Sequence, residues 1–280
     1  MPDTDLDAAL PLLLRRRVVV LTGAGVSTES GIPDYRGPGS PARTPMTYGV
    51  FRSGPAAQRR YWSRAFVGWQ HMSAAEPNGG HRALVELERM GLVSGVITQN
   101  VDGLHTYAGS RRVIDLHGRL SDVICLDCHD ITPRLRLQER LAALNPAYSR
   151  SDTDRVVIAP DGDALVDDCT DFVLAGCERC GGPLKPHVVF FGENVPKPRV
   201  ARAIAEVEAA QTLLVLGSSL TVMSGLRFVR QAARASIPVV IVNRGQTRGD
   251  DLADVKLDAG CTQTLQALVE AGRASLTPGR

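Results

Sequence analysis

The stretch Gly23-Ala24-Gly25-Val26-Ser27-Thr28-Glu29-Ser30-Gly31-Ile32-Pro33-Asp34-Tyr35-Arg36-Gly37 follows directly on Val18-Val19-Val20-Leu21-Thr22, and it restricts the fold more than any other. A run of β-branched apolar residues reads as a strand buried on both faces. Such a strand, broken at Gly-x-Gly and turning into a short helix, opens a dinucleotide-binding βα unit. Gly23, Ala24 and Gly25 let backbone approach a pyrophosphate, and the helix start offers unpaired N–H groups. The third glycine of GxGxxG is absent, so glycine spacing alone is a weak signal. Gly31 is placed to end the short helix in a left-handed conformation, and Pro33 stiffens the exit that carries Asp34, Tyr35 and Arg36. An acid, an aromatic and a guanidinium just past a phosphate turn suggest a lid over a cofactor. The alternative is a surface loop with casual polar residues.

The following chain repeats strand, polar tip and helix, which predicts a parallel sheet wound on both faces. Strands are expected at Leu92 to Gln99, Val113 to Leu116, Thr212 to Leu216, Pro238 to Val242 and Asp254 to Leu257. Helices are expected at Val200 to Ala210, Ser224 to Ala235 and Thr264 to Ala271. Residues 38–60 read as loop with short helical turns. Helical spacing over Gln58 to His71 and His81 to Met90 reads as a helical insertion outside the sheet core. Pro186 to Glu193 reads as a strand running into a loop, on return to the core. Met1 to Leu14 is acidic first and apolar second, the reverse of a secretory or transit segment. It reads as an amphipathic helix ended by Arg15-Arg16-Arg17.

Four of the six cysteines form two pairs, Cys125-Leu126-Asp127-Cys128 and Cys177-Glu178-Arg179-Cys180. Each pair has the spacing of a zinc knuckle, and two knuckles complete a tetrahedral site of four thiolates. A closed all-cysteine site has no open position, so the metal is structural; the rival is redox chemistry at one Cys-x-x-Cys. Cys169 lies outside both pairs. The gap between knuckles implies an elaborated ribbon with a helical patch over Leu135 to Leu144.

Net charge of +2 gives no push toward nucleic acid or anionic membrane. No basic stretch with interleaved aromatics accompanies the ribbon, which disfavours sequence-specific nucleic-acid binding. No apolar run approaches the roughly 20 residues of a membrane helix. The paired cysteines and absent leader make the cytoplasm the expected compartment.

Polar residues gather at the ends of the expected strands: Gln99-Asn100-Val101-Asp102, His117-Gly118, Gly217-Ser218-Ser219, Asn243-Arg244-Gly245 and Gly260-Cys261. Open α/β sheets bind ligands there. A carboxylate about 20 residues after the glycine turn holds the ribose in hydride-transfer enzymes, and none ends a second strand here. His105 and His117 are both candidates for acid–base work. His117 follows an apolar strand and precedes glycine, which favours it. Asp102 is a ligand-site candidate or a cap of the next helix.

In order, GAGVSTESGIPDYRG, TQNVDGLH, His117-Gly118, CxxC…CxxC, VVFFGE, GSSL and VNRG resemble the signature set of the sirtuins, NAD-dependent protein-lysine deacylases. The resemblance covers roughly residues 10–270. ARTPMTYGVF, RYWSRAFVGW, CLDC, LQERLAALNP and KPHVVFFGE are similar to the class II group, which includes a human mitochondrial member, and the Ala- and Arg-rich chain resembles a bacterial representative. It implies a single domain, 1–280. Its Rossmann-like large lobe would take residues 10–40, 92–120 and 188–280. A small lobe would combine a helical insertion (41–91) and a zinc module (121–187).

The resemblance implies that the sheet binds NAD extended, with Ile32, Asp34 and Tyr35 pressing nicotinamide into a pocket. The acyl-lysine oxygen attacks the nicotinamide ribose, and nicotinamide leaves. His117 then acts as general base on a ribose hydroxyl, and the acyl group departs on ADP-ribose. Asn100 orients ribose or water, Asp102 the nicotinamide amide, and Ser27, Arg36 and Gln99 the cofactor. Gly217, Ser218, Ser219, Asn243, Arg244 and Gly245 face ribose and adenine, and Cys261 contacts adenine through its backbone. The acyl-lysine peptide adds as a strand between Val189-Phe190-Phe191-Gly192-Glu193 and the segment from Val222 to Gly225. The chain is expected to act as a monomer. Mono-ADP-ribosyl transfer on the same scaffold and a non-catalytic NAD sensor are the alternatives.

The family pattern is departed from at Tyr35 for phenylalanine, at His187 before VVFFGE, and in Met223-Ser224-Gly225 where many deacetylases have proline. Tyr61-x-x-Arg64 has the spacing with which some sirtuins read acidic acyl groups. The rival places Tyr61 in the core and Arg64 at the surface.

Overall fold

The structure, a computed structural model, describes residues 3–14, 17–35, 45–148, 159–164 and 169–276. Six parallel strands form one sheet: β1 (Val18–Thr22), β2 (Val93–Thr98), β3 (Val113–Asp115), β7 (Thr212–Leu216), β8 (Val239–Val242) and β9 (Val255–Leu257). Their order is β3-β2-β1-β7-β8-β9. The order reverses between β1 and β7, which opens a crevice at the carboxyl ends of both, where dinucleotides bind. Every residue of β1, β7 and β8 is buried, as continuous Val/Leu/Ile runs demand of strands covered on both faces. Thr22 is level with Thr98 of β2 and with Leu216 of β7, so the three tips end side by side.

One face of the sheet carries α7 (Lys197–Glu208) and α8 (Met223–Arg234), which bury Ala203, Val207, Leu226, Phe228 and Val229 against it. The other carries α1 (Asp3–Leu13), α4 (Gly79–Arg89) and α9 (Cys261–Leu276). Helix α4 differs from the expectation of an insertion outside the core. Its apolar face, Ala83, Leu84 and Leu87, packs with Val18, Val20 and Leu265. Asn78 starts it with a capping box, its side chain accepting from Gly80 and His81 N–H groups. The glycine turn also differs: two short 3-10 turns, Ala24–Val26 and Thr28–Ser30, replace the expected helix, and Gly31 ends them at φ 81°.

A smaller lobe is built on an antiparallel sheet of β5 (Ile131–Pro133), β4 (Gly118–Cys125) and β6 (Leu184–Val188), in the order β5-β4-β6. Strand β6, expected to rejoin the large sheet, instead pairs with β4. Helices α2 (Tyr48–Phe51), α3 (Pro55–Ala74) and α6 (Arg134–Leu144) complete this lobe, while α5 (Leu104–Ala108) follows β2. Its core gathers Phe51, Tyr61, Trp62, Phe66, Leu137, Leu141 and Phe172. Among the described residues, no helix is long and apolar enough to cross a membrane.

Candidate active site

The crevice is made by two glycine turns that interlock. A Cβ at Gly23 would lie 2.7 Å from the Gly217 carbonyl oxygen, and one at Gly25 2.8 Å from Gly217 Cα. Gly217 itself sits at φ 58° with the Val26 nitrogen 2.6 Å from its own virtual Cβ. Real Cβ atoms do not approach backbone so closely, so all three positions require glycine, and the two turns present bare backbone to the crevice. Such a cradle fits a dinucleotide pyrophosphate.

Side chains from β1 and β2 close the floor. Asn100 is buried and donates through Nδ2 to the Gly23 carbonyl (3.1 Å) and to Ser27 Oγ (3.0 Å). Ser27 in turn donates to Asp102 Oδ2 (2.7 Å). The other Asp102 oxygen accepts the Leu104 N–H at 2.8 Å, so this carboxylate both joins the polar floor and stabilises the start of α5. Burial pushes the Asp102 carboxyl above the usual range, while Leu104 and Ser27 hold it lower. Gln99 donates to Ser218 Oγ (2.9 Å), tying the tip of β2 to that of β7 across β1.

His117 stands at the inner edge of the crevice, where the chain leaves β3 for β4. Its Nδ1–H donates to the Gln99 carbonyl (2.8 Å), and its Nε2 lies 2.8 Å from Ser224 Oγ. A carbonyl can only accept, so the neutral ring carries its proton on Nδ1 and its lone pair on Nε2. Burial, then Arg199 and Arg227, pull the imidazole below its ordinary value, against the Gln99 carbonyl that raises it. The ring is therefore a neutral base at pH 7. Gly118 is obligatory after it: a Cβ there would meet the His187 carbonyl oxygen at 2.0 Å. His105, the other candidate, is buried away from the crevice against Thr22 Oγ1 (3.0 Å) and the His81 ring.

The entrance is shaped from the small lobe. Val189 N–H donates to the His117 carbonyl (2.7 Å), which sets the segment Val189–Glu193 beside the base. Phe190 is buried against Phe51 and Tyr61, and Phe191 is exposed, with Tyr35 edge-on at 6.1 Å. Glu193 accepts from Phe190 N–H (2.9 Å) and pairs with buried Lys185 (3.0 Å), closing that loop on itself. Val222 precedes α8 on the facing side. Ile32 is buried and Asp34 half-buried on the exit from the glycine turn; Arg36 lies outside the described residues.

Asn243 folds its amide onto the Arg244 carbonyl (2.7 Å), with exposed Arg244 and Gly245 at the tip of β8. The backbone of Ser219 accepts from Arg248 N–H (3.0 Å), and Cys261 opens α9 as a buried thiol pushed up to about 12 by burial and by Glu29. A thiol so protonated does no nucleophilic chemistry at neutral pH.

The pairing proposed for Tyr61 and Arg64 is not what the structure shows. Tyr61 is buried edge-on to Phe51, Trp62 and Phe190. Arg64 donates to the Ala164 carbonyl (2.7 Å) and pairs with Asp163 at 2.9 Å, so its charge is already answered. Ser224 is the site residue that sequence reasoning missed as a contact; its one signal was lying in Met223-Ser224-Gly225, a segment that departs from the family pattern.

The sulfur atoms of Cys125, Cys128, Cys177 and Cys180 all lie within 4.8 Å of one another. Two separations are 3.5 and 3.7 Å, close to the roughly 3.8 Å between thiolates around a tetrahedral zinc with ~2.3 Å bonds. Four thiols at that spacing fit one zinc ion remote from the crevice chemistry.

Strand β2 leads into Gln99 and Asn100, where a hydride-transfer fold places its ribose-binding carboxylate, and a neutral imidazole faces the crevice instead. The fold and site define a dinucleotide-using enzyme with acid–base rather than hydride chemistry. Residues 23–224 match the Sir2 family. The chain is 56% identical over 261 residues to NAD-dependent protein deacetylase 1 of Mycobacterium avium (strain 104), covering 92% of this chain and 93% of that protein. It is 49% identical over 262 residues to the mitochondrial NAD-dependent protein lipoamidase sirtuin-4 of Bos taurus, covering 91% and 82%. A solved Sir2 complex with p53 peptide and NAD+ shares the fold at TM-score 0.75 and 33% identity, covering 95% and 97%. A Sir2 enzyme bound to a propionylated peptide does so at TM-score 0.74 and 32% identity, covering 96% and 99%. This chain belongs to the Sir2 family, the sirtuins, on the class II side of the group, and is an NAD-dependent protein-lysine deacylase.

Proposed function

We propose that His117 is the general base of this deacylase and that the interlocked turns at Gly23–Gly25 and Gly217–Ser219 hold the dinucleotide across the β1/β7 switch point. NAD supplies the ribosyl carbon to which the acyl oxygen bonds once nicotinamide departs. Asn100, Ser27, Asp102 and Gln99 form the polar floor against nicotinamide and its ribose. Ile32, Asp34, Tyr35 and Arg36 close over that end of the cofactor. Ser218, Ser219, Asn243, Arg244, Gly245 and the Cys261 backbone serve ribose and adenine. Nε2 of His117 takes the proton of a ribose hydroxyl, which frees that oxygen to attack the acyl carbon.

The acyl-lysine peptide enters as an added strand between Val189–Glu193 and Val222. The Val189 N–H bond to the His117 carbonyl supports this, because it sets backbone of the peptide segment beside the base. Cys125, Cys128, Cys177 and Cys180 hold one structural zinc. The chain acts as a monomer in this reading, and six cysteines with no disulfide among them suit a reducing compartment such as the cytoplasm.

The observation that carries the reading is the lone pair of His117 Nε2, fixed by the Gln99 carbonyl on Nδ1. The test is nicotinamide release and acyl transfer from NAD with peptides bearing acetyl-, propionyl-, succinyl-, glutaryl-, methylglutaryl- and lipoyl-lysine. His117→Ala lowers acyl transfer at least about 100-fold, as expected for loss of a general base, while NAD still binds. Acyl transfer undiminished in that variant overturns the assignment.

A further inference from the structure

We propose that Ser224 is a positioning residue for His117, its hydroxyl fixing the reactive nitrogen of the base. The inference rests on the assignment of His117 above. Ser224 is the second residue of α8, and Val222, which begins that helix, makes no side-chain cap. The hydroxyl is 2.8 Å from His117 Nε2, its partner among the described residues. Together with the 2.8 Å bond from Nδ1 to Gln99, it holds the ring at both nitrogens.

The two arms are built by one close approach. A Cβ at Gly225 would lie 2.3 Å from Gln99 Oε1, so the first turn of α8 rests directly on the residue whose carbonyl fixes Nδ1. A larger side chain at 225 would meet the Gln99 amide, which would have to give way.

A hydroxyl suits both protonation states of the base. It donates to the lone pair of neutral Nε2, and it accepts from Nε2–H once the imidazolium forms. When a ribose hydroxyl takes the lone pair, Ser224 yields it and then receives the new N–H. The ring thus keeps one orientation through proton transfer, which is what a pre-organised base needs.

The experiment separates two half-reactions at saturating peptide and NAD. Exchange of labelled nicotinamide into NAD reports the step before His117 acts, and appearance of deacylated peptide reports the step after. Ser224→Ala is expected to slow deacylation about five-fold, the scale of one hydrogen bond, with exchange within about two-fold of wild type and thermal unfolding unchanged. Ser224→Thr, which keeps the hydroxyl, restores deacylation. An equal fall in both half-reactions, unchanged or faster deacylation in Ser224→Ala, or a loss that threonine does not restore overturns the proposal. His117→Ala run alongside keeps the two claims apart: its retention of deacylation sinks the base assignment, not merely the role of Ser224.

Discussion

Around the six-stranded sheet the fully buried polar side chains are neutral, among them Thr22, Asn78, His81, Asn100 and His105. Around the three-stranded sheet lie buried cations, Arg134 and Lys185, at 2% and 4% exposure. The large lobe has apolar strands enough to close its own core; of these groups Asn78 caps α4, Thr22, His81 and His105 contact one another, and Asn100 lines the site. The small lobe closes its core with aromatic rings as well as aliphatic side chains. It recruits the faces of those rings: the Arg134 guanidinium lies 5.2 Å from the Trp62 ring and 5.0 Å from that of Trp69. Lys185 lies 4.9 Å from the ring of Phe190. Cation–π contact and the cysteine tetrad add to the apolar packing of this lobe. The two lobes should therefore fail under different insults.

Zinc removal has the largest expected effect. Structural zinc contributes on the order of 10 kcal/mol to such modules, and here it joins the end of β4 to the turn before β6. Chelation should unfold the small lobe and abolish deacylation, because Val189–Glu193 loses its support. NAD binding at the tips of the large sheet should survive. Circular dichroism and NAD titration calorimetry during chelation check this. Joint melting of both lobes would break the comparison.

Arg134 comes next. Burial lowers its guanidinium to about 10, so it remains charged at neutral pH. It donates to the Ala65 carbonyl at 3.3 Å and so fastens α6 onto α3. Arg134→Ala should lower stability by about 3 kcal/mol in denaturant unfolding, through lost ring contacts and an emptied slot. Arg134→Met, which refills the slot, should lose clearly less. Equal losses would place the energy in the charge alone.

The large lobe was readable because its signals are local. A Val/Leu run ending in glycine or a polar tip marks each parallel strand, and the six strands so marked lie in one sheet. The cysteine tetrad was readable for the same reason, as spacing within two short turns. What failed is non-local. Nothing in KPHVV announces that β6 pairs with β4 rather than with the large sheet. The side on which α4 docks depends on a face shared with α9, 180 residues later. The Ser224–His117 contact joins positions 107 residues apart and was invisible until the first turn of α8 was seated on Gln99.

The smallest expected effect separates the lobes by pH. His81 and His105 stack with ring centroids 4.8 Å apart, each buried. Burial pulls His81 down to about 4, aided by Arg82, and His105 to about 3, aided by His81. His81 Nε2 and His105 Nδ1 have no partner among the described residues, so neither ring gains anything on protonation. Both are ordinary, with values near 6.5, in the unfolded chain. Between pH 6.5 and about 4 the unfolded chain therefore binds protons that the folded lobe refuses. Their contribution is full well above pH 6.5 and declines as pH falls, by about 1.4 kcal/mol per histidine at pH 5.5. Arg134 does not titrate in that window. Denaturant unfolding of zinc-loaded protein at pH 7.5 and 5.5 measures the slope. His117 and His187, also lowered by burial, add to the slope, so His105→Gln should remove only part of it, whatever that substitution does to absolute stability. A slope untouched by His105→Gln, and equally by His81→Gln, would move the acid sensitivity away from this buried pair.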